Sequence, residues 1–157
     1  MLKNVLPNVH IVVLGKGLVG SAWLQAFTEQ QARLKGLATV KLVAVANSSR
    51  FLFDMNGLDL ASVANFQQTS ASGELQQLIA HLDECQLDNL VLLDLTASQK
   101  VADSYLEFAE RGWHIISANK IPLTKSMERH KYLVQSLKRY GCFWGINATV
   151  GAALPVQ

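Results

Sequence analysis

Cysteine is scarce. There are two in 157 residues, Cys85 and Cys142, far apart and matching no C-x-x-C or zinc spacing. That excludes a disulfide framework and a thiolate metal site, and leaves two reduced thiols. Charge is scarce too. Only 17% of residues are charged, the net charge is +2 and there is no basic run. Nucleic acid is therefore not expected as a partner. No apolar stretch reaches the roughly 20 residues that a membrane span needs. The N-terminus lacks a basic region followed by a long apolar run, and Pro7 interrupts it early, which argues against a signal peptide. A cytoplasmic protein without membrane contact is expected. Half the residues are hydrophobic, so a single α/β domain over residues 1–157 can bury one core.

What is present is concentrated near the start. Residues 9–14 form an apolar, β-branched run that meets Gly15, Lys16, Gly17, Leu18, Val19 and Gly20, a G-x-G-x-x-G spacing. Val19, Ala22, Trp23, Ala26 and Phe27 then recur at helical spacing, predicting a helix over 18–33. Strand, tight turn and helix in that order suit a dinucleotide. Gly15 permits the turn, Gly17 lets a pyrophosphate approach the backbone, and Gly20 lets the helix pack close. The phosphates would face free N–H groups at the positive end of the helix.

A second strand is read over 40–46, ending at Asn47, Ser48, Ser49 and Arg50. An acid at this tip would accept the adenosine ribose hydroxyls of NAD and repel the 2′-phosphate of NADP. No Asp or Glu occurs between this tip and Asp54. Neutral donors and one guanidinium stand there instead, which favours NADP, or use of both cofactors, over strict NAD, although Asn-Ser-Ser is also ordinary turn chemistry. Residues 51–72 give no clear pattern. A helix then follows, with Ser72 as candidate N-cap, Glu74 in its first turn, and Leu75, Leu78, Ile79 and Leu82 inward. Lys35-Gly36 reads as the end of the first helix, with glycine left-handed.

Further strands are read over 90–95, 113–117 and 142–146. Between them lie a helix carrying Val101, Ala102, Tyr105, Phe108 and Ala109 inward, and a last helix over 126–139. Gly112 and Gly141 stop the two helices. His81 and His130 read as boundary residues, and the three tryptophans as core. Asp94 reads as a cap for the helix behind it or as a ligand contact. This alternation predicts a doubly wound, mostly parallel sheet with helices on both faces. The polar clusters 15–20, 47–50, 94–98, 117–120 and 147–151 all fall at strand carboxyl ends, where such sheets bind ligands.

Taken together, residues 15–20, Val45-Ala46-Asn47-Ser48, Asp94-Leu95-Thr96-Ala97-Ser98, Ala118-Asn119-Lys120 and residues 148–155 resemble the amino-terminal half of homoserine dehydrogenase. The likeness is strongest to the dehydrogenase portion of bacterial bifunctional aspartokinase–homoserine dehydrogenases. It implies a Rossmann-type domain that binds NADP or NAD for the interconversion of homoserine and aspartate semialdehyde. It also implies that Thr96 and Ser98 line the nicotinamide side, and that Lys120 sits close to nicotinamide and substrate. Without the resemblance, Lys120 also reads as a surface lysine. A monovalent-cation site is implied around Asn147, Val150, Ala152 and Leu154, with Asn147 standing where the family has an acid. The family's substrate domain follows this stretch, so the chain is expected to bind cofactor without turning over substrate alone. A non-enzymatic dinucleotide-binding module is the alternative. A semialdehyde dehydrogenase would need a cysteine after a strand. Cys85 lies in a helical pattern and Cys142 opens a strand, so neither fits.

Overall fold

The computed structural model describes residues 6–146. Among them, seven strands form one sheet in the order β4-β3-β2-β1-β5-β6-β7. β1 (Asn8–Leu14), β2 (Thr39–Ala46), β5 (Leu90–Asp94), β6 (His114–Ser117) and β7 (Trp144–Gly145) run parallel. β3 (Arg50–Phe53) and β4 (Ala71–Ser72) add an antiparallel edge. Leu14 pairs with both Ala46 and Asp94, and Asp94 with Ser117. Four strands therefore end level, and the loops behind them share one rim.

Helices cover both faces. α1 (Leu18–Leu34), α2 (Leu60–Ala64) and α3 (Phe66–Thr69) close one core, through Leu24, Phe27, Val63 and Phe66 against Val13, Val45 and Leu93. α4 (Leu75–Cys85), α5 (Gln99–Asp103), α6 (Tyr105–Glu110) and α7 (Met127–Arg139) close the other, over Val12, Leu14, Leu92 and Ile115. Val12 and Val13 point to opposite cores because strand side chains alternate. The β1–β2 pairing skips Val43, so Val43 and Ala44 enter the same core side by side, as a bulge allows.

Helix ends follow local chemistry. Gly112 (φ +76°) and Gly141 (φ +69°) take the left-handed position behind α6 and α7. In each, the next residue's N–H reaches back, Trp113 to Phe108 O and Cys142 to Leu137 O. These are Schellman endings, expected of glycine there. Cys142 thus belongs to a helix end, and β7 is shorter than the predicted 142–146.

Other expectations need correcting. Gly36 is not left-handed: α1 closes with Lys35 still right-handed (φ −55°), and the N–H groups of Leu37 and Ala38 bond Leu34 O. Ser72 lies in β4, and the N-cap of α4 is Glu74, whose N–H is taken by Gln77 Oε1 at 2.8 Å. The buried face of α1 is Gly20, Leu24 and Phe27, while Val19, Ala22 and Ala26 are exposed. The close approach at Gly20 sets that rotation. The segment read as one helix around Tyr105 is broken at Ser104, whose hydroxyl bonds back to Lys100 O. Of the tryptophans, Trp113 is buried, whereas Trp23 and Trp144 are half-buried.

Phe108 is fully buried and meets both Tyr105 and Trp113. Phe108→Ala leaves a cavity between α6 and the sheet, and is expected to cost about 3–5 kcal/mol in urea unfolding.

Candidate functional site

The turn after β1 is built from backbone contact. Gly15 has φ +106°, and a Cβ there would lie 2.7 Å from Leu95 O. A Cβ on Gly20 would lie 1.8 Å from Gly15 O, so the first turn of α1 rests on the strand's own exit. Gly17 differs: its φ is −81°, and a Cβ would meet nothing within 4 Å. The space above Gly17 is open. The N–H groups of the first turn of α1 have no intrahelical acceptor and carry the positive end of the dipole.

A cleft of about 400 Å³ opens over this turn. Its walls include Gly15, Lys16 and Gly17, then Asn47, Ser48 and Arg50, then Thr96 and Ser98. The structure therefore brings together three of the sequence-predicted clusters. Leu18 and Val19 are exposed on the first turn and Gly20 is buried under it; these three do not line the cleft. The charged residues of the walls are Lys16, Arg50, Lys100 and Glu74. Three cations against one carboxylate suit an anionic ligand.

At the tip of β2, Asn47 Oδ1 accepts the N–H groups of Ser49 and Arg50, at 3.0 and 2.8 Å. This is the turn chemistry the composition suggested. Arg50 opens β3, and its guanidinium donates to Ser70 Oγ (2.9 Å) and Ser70 O. One terminal nitrogen of Arg50 makes no hydrogen bond among the described residues.

Asp94 ends β5 in a buried network. Its Oδ1 accepts from Thr96 N (3.0 Å) and Thr96 Oγ1 (2.6 Å). Its Oδ2 accepts from Tyr105 Oη (2.7 Å) and Asn119 Nδ2 (3.0 Å). Asp94 thus holds the loop and the next strand's exit, while Ser98 caps α5, accepting from Val101 N. Burial, and then the Asp94 charge, hold the Tyr105 hydroxyl above the ordinary phenol range. Asn119 Nδ2 also reaches Ser98 O at 3.0 Å, tying the ends of β5 and β6.

Lys120 follows directly, exposed at the start of a short 3-10 turn (Ile121–Thr124), and does not line the cleft. Asn147, Val150, Ala152 and Leu154 lie outside the described residues. A broader groove of about 770 Å³ between α5, α6 and α7 contains none of the predicted site residues. Among the described residues, no helix is long and apolar enough to cross a membrane.

Sequence reading missed Phe51, Gly73, Glu74, Leu75, Leu78 and Lys100 as cleft residues. Phe51, Leu75 and Leu78 give it an apolar lobe. Glu74 and Lys100 form an ion pair at 2.6 Å on its wall, and the Lys100 ammonium holds the Glu74 carboxyl below the usual range. Only the pairing of β3 and β4 reveals this lobe, so no local signal would have found it.

A family profile described as "Homoserine dehydrogenase, NAD binding domain" matches residues 15–146. The bifunctional aspartokinase/homoserine dehydrogenase 2 of Escherichia coli is 36% identical over 96% of this chain and 19% of its own length. The homoserine dehydrogenase of Saccharomyces cerevisiae is 33% identical over 94% of the chain and 41% of its own. A hyperthermophilic archaeal homoserine dehydrogenase, solved in complex with NADPH, shares the fold with a TM-score of 0.71 at 17% identity, over 91% of this chain and 44% of that one. The chain thus spans less than half the length of these relatives, and about a fifth of the bifunctional one.

The Tyr105 hydroxyl can be removed without altering the ring packing. Tyr105→Phe withdraws a buried donor from Asp94 and is expected to destabilise the chain by about 1.5–3 kcal/mol. It also alters the alkaline limb. A tyrosine held above its ordinary value keeps its full stabilisation below about pH 10, and loses it as pH rises beyond, because the unfolded chain ionises first. Parent-minus-variant stability from urea melts is expected to shrink as pH is raised above about 10.

Proposed function

The chain belongs to the homoserine dehydrogenase NAD-binding domain family, and from that membership we propose that the cleft over β1, β2 and β5 holds a nicotinamide dinucleotide, NADP in preference to NAD, for the interconversion of homoserine and aspartate semialdehyde. The observation that carries the reading is the turn at residues 15–20. Gly15 and Gly20 are glycine because backbone fills the space around them, whereas Gly17 faces open space in which nothing in the protein needs a missing Cβ. A phosphate seated on the backbone does need it.

The residues present fit the cofactor. The N–H groups at the start of α1, with Lys16 beside them, suit the pyrophosphate. The apolar lobe of Phe51, Leu75 and Leu78 suits the adenine. Ser48 and the terminal nitrogen of Arg50 that makes no hydrogen bond among the described residues suit the 2′-phosphate, Arg50 being steadied by Ser70. When bound, the dinucleotide supplies or takes up the hydride. Thr96 and Ser98 then flank the nicotinamide side, and the Ser98 hydroxyl, which accepts one N–H, keeps its own proton to donate. Lys120, placed on the rim through the Asn119–Ser98 bond, is the cation we assign near the nicotinamide and substrate oxygen. The substrate pair is proposed from the family, since this chain spans 19% of the bifunctional relative and 41% of the yeast one.

Titration of the chain with NADPH and NADH, read by tryptophan quenching, tests the reading directly. Saturable binding is expected, tighter for NADPH; equal affinities would remove the NADP preference, and binding of neither would overturn the assignment. Gly17→Ala gives the sharper contrast. It is expected to melt with the parent chain, because the site is open and its φ suits alanine. Dinucleotide binding is expected to weaken by about 10- to 100-fold, the loss of one or two charge-assisted hydrogen bonds. Gly20→Ala must instead displace the turn itself and lower the melting temperature.

A further inference from the structure

An acid does line the cleft, and it comes from a different part of the chain than the tip of β2. Gly73 N donates to Ser49 O at 2.9 Å, which fastens the start of α4 to the turn after β2. Gly73 can approach because it lacks a side chain: a Cβ there would lie 2.3 Å from Phe51 Cε1. The next residue, Glu74, lines the same cleft as Asn47, Ser48 and Arg50. α5 brings Lys100 Nζ to within 2.6 Å of Glu74 Oε2 on the cleft wall.

We propose that Glu74 and Lys100 set the choice between NADP and NAD: Glu74 is the ribose-facing acid of this site, and Lys100 masks its charge so that a 2′-phosphate is tolerated. The proposal rests on the dinucleotide reading above. Its logic is electrostatic. A bare carboxylate facing the ribose accepts hydrogen bonds from hydroxyls and repels a phosphate dianion. Paired with an ammonium, the same carboxylate presents almost no net charge. Both side chains are largely exposed, so the pair is not needed for the fold. Lys100 can stay on Glu74 with NAD, or turn part of its charge to the phosphate with NADP. One ion pair thereby serves both cofactors, with the balance set by how completely the lysine covers the acid.

The diagnostic quantity is the ratio of dissociation constants for NADH and NADPH. The two ligands differ only in the 2′-phosphate, so a general loss of folding or of cleft shape cancels in the ratio. Each would be titrated into the chain by tryptophan quenching, with apo melting curves as the folding control. Glu74→Gln keeps the shape and leaves the backbone N–H of residue 74 free to bond Gln77 Oε1. It is expected to move the ratio about 5- to 10-fold toward NADPH, the scale of one charge removed a few ångströms from a dianion in high dielectric. Lys100→Met, which unmasks the acid, is expected to move it by a similar factor toward NADH. Opposite shifts are required: ratios within twofold of the parent, a shift in only one variant, or shifts of the same sign overturn the masking. If the parent chain binds neither nucleotide, the dinucleotide reading itself fails, and with it this proposal; the two failures are thus told apart.

Discussion

The contact on which the rest of the structure depends is backbone against backbone, where the first turn of α1 rests on the exit of β1. A Cβ on Gly20 would stand 1.8 Å from Gly15 O, and one on Gly15 would stand 2.7 Å from Leu95 O. No side chain can enter this stack without parting a helix from a strand, or two strands from each other. The stack also rotates α1 so that Gly20, Leu24 and Phe27 face the sheet. The same contact holds the N–H groups of the first helical turn over the carboxyl edge of the sheet, beside a cleft with an excess of positive charge. Packing therefore accounts for Gly15 and Gly20, while Gly17 faces open space.

A second constraint acts one strand over. Asp94 is almost wholly buried, and its two carboxylate oxygens accept four donors, from Thr96, Tyr105 and Asn119. Burying a carboxylate is costly unless it is hydrogen-bonded, and here the bonds do structural work. They join α6, the loop behind β5 and the exit of β6 at a single point. Thr96, Ser98 and Lys120 derive their relative positions from it. Asp94 is a positioning group behind the rim, not a cap for α5; Ser98 fills that role.

The antiparallel edge is where this sheet departs from simple alternation. After β2 the chain doubles back through β3, crosses two short helices and returns as β4. That excursion carries Phe51, Gly73 and Glu74 to the cleft and gives Arg50 its partner in Ser70. This end of the cleft is thus made from segments more than twenty residues apart, fastened by the Ser49–Gly73 hydrogen bond.

Much of the protein could be read from the chain alone because the signals are local. The run into Gly15–Gly20, the apolar strands over 40–46 and 90–95, the inward set Val101, Ala102, Tyr105, Phe108 and Ala109, and the stops at Gly112 and Gly141 each depend on neighbours within one or two turns. From them follow the parallel sheet, its helical layers and the level rim of polar loops. The errors arose at Gly36, where bonds within the helix's own last turn decide, and at Ser72, where a distant partner does. Gly36 needs no left-handed turn because backbone bonds to Leu34 close α1 without one. Ser72 is drawn into β4 by pairing with Arg50, leaving Glu74 as the cap of α4. Sequence by itself determined the fold class and the glycine turn after β1, since hydrophobic period and glycine spacing are written residue by residue. Only the tertiary structure decided which charges share the cleft, because charges act through space, and Glu74 meets Lys100 and comes to line the cleft with Asn47 only after the sheet has closed.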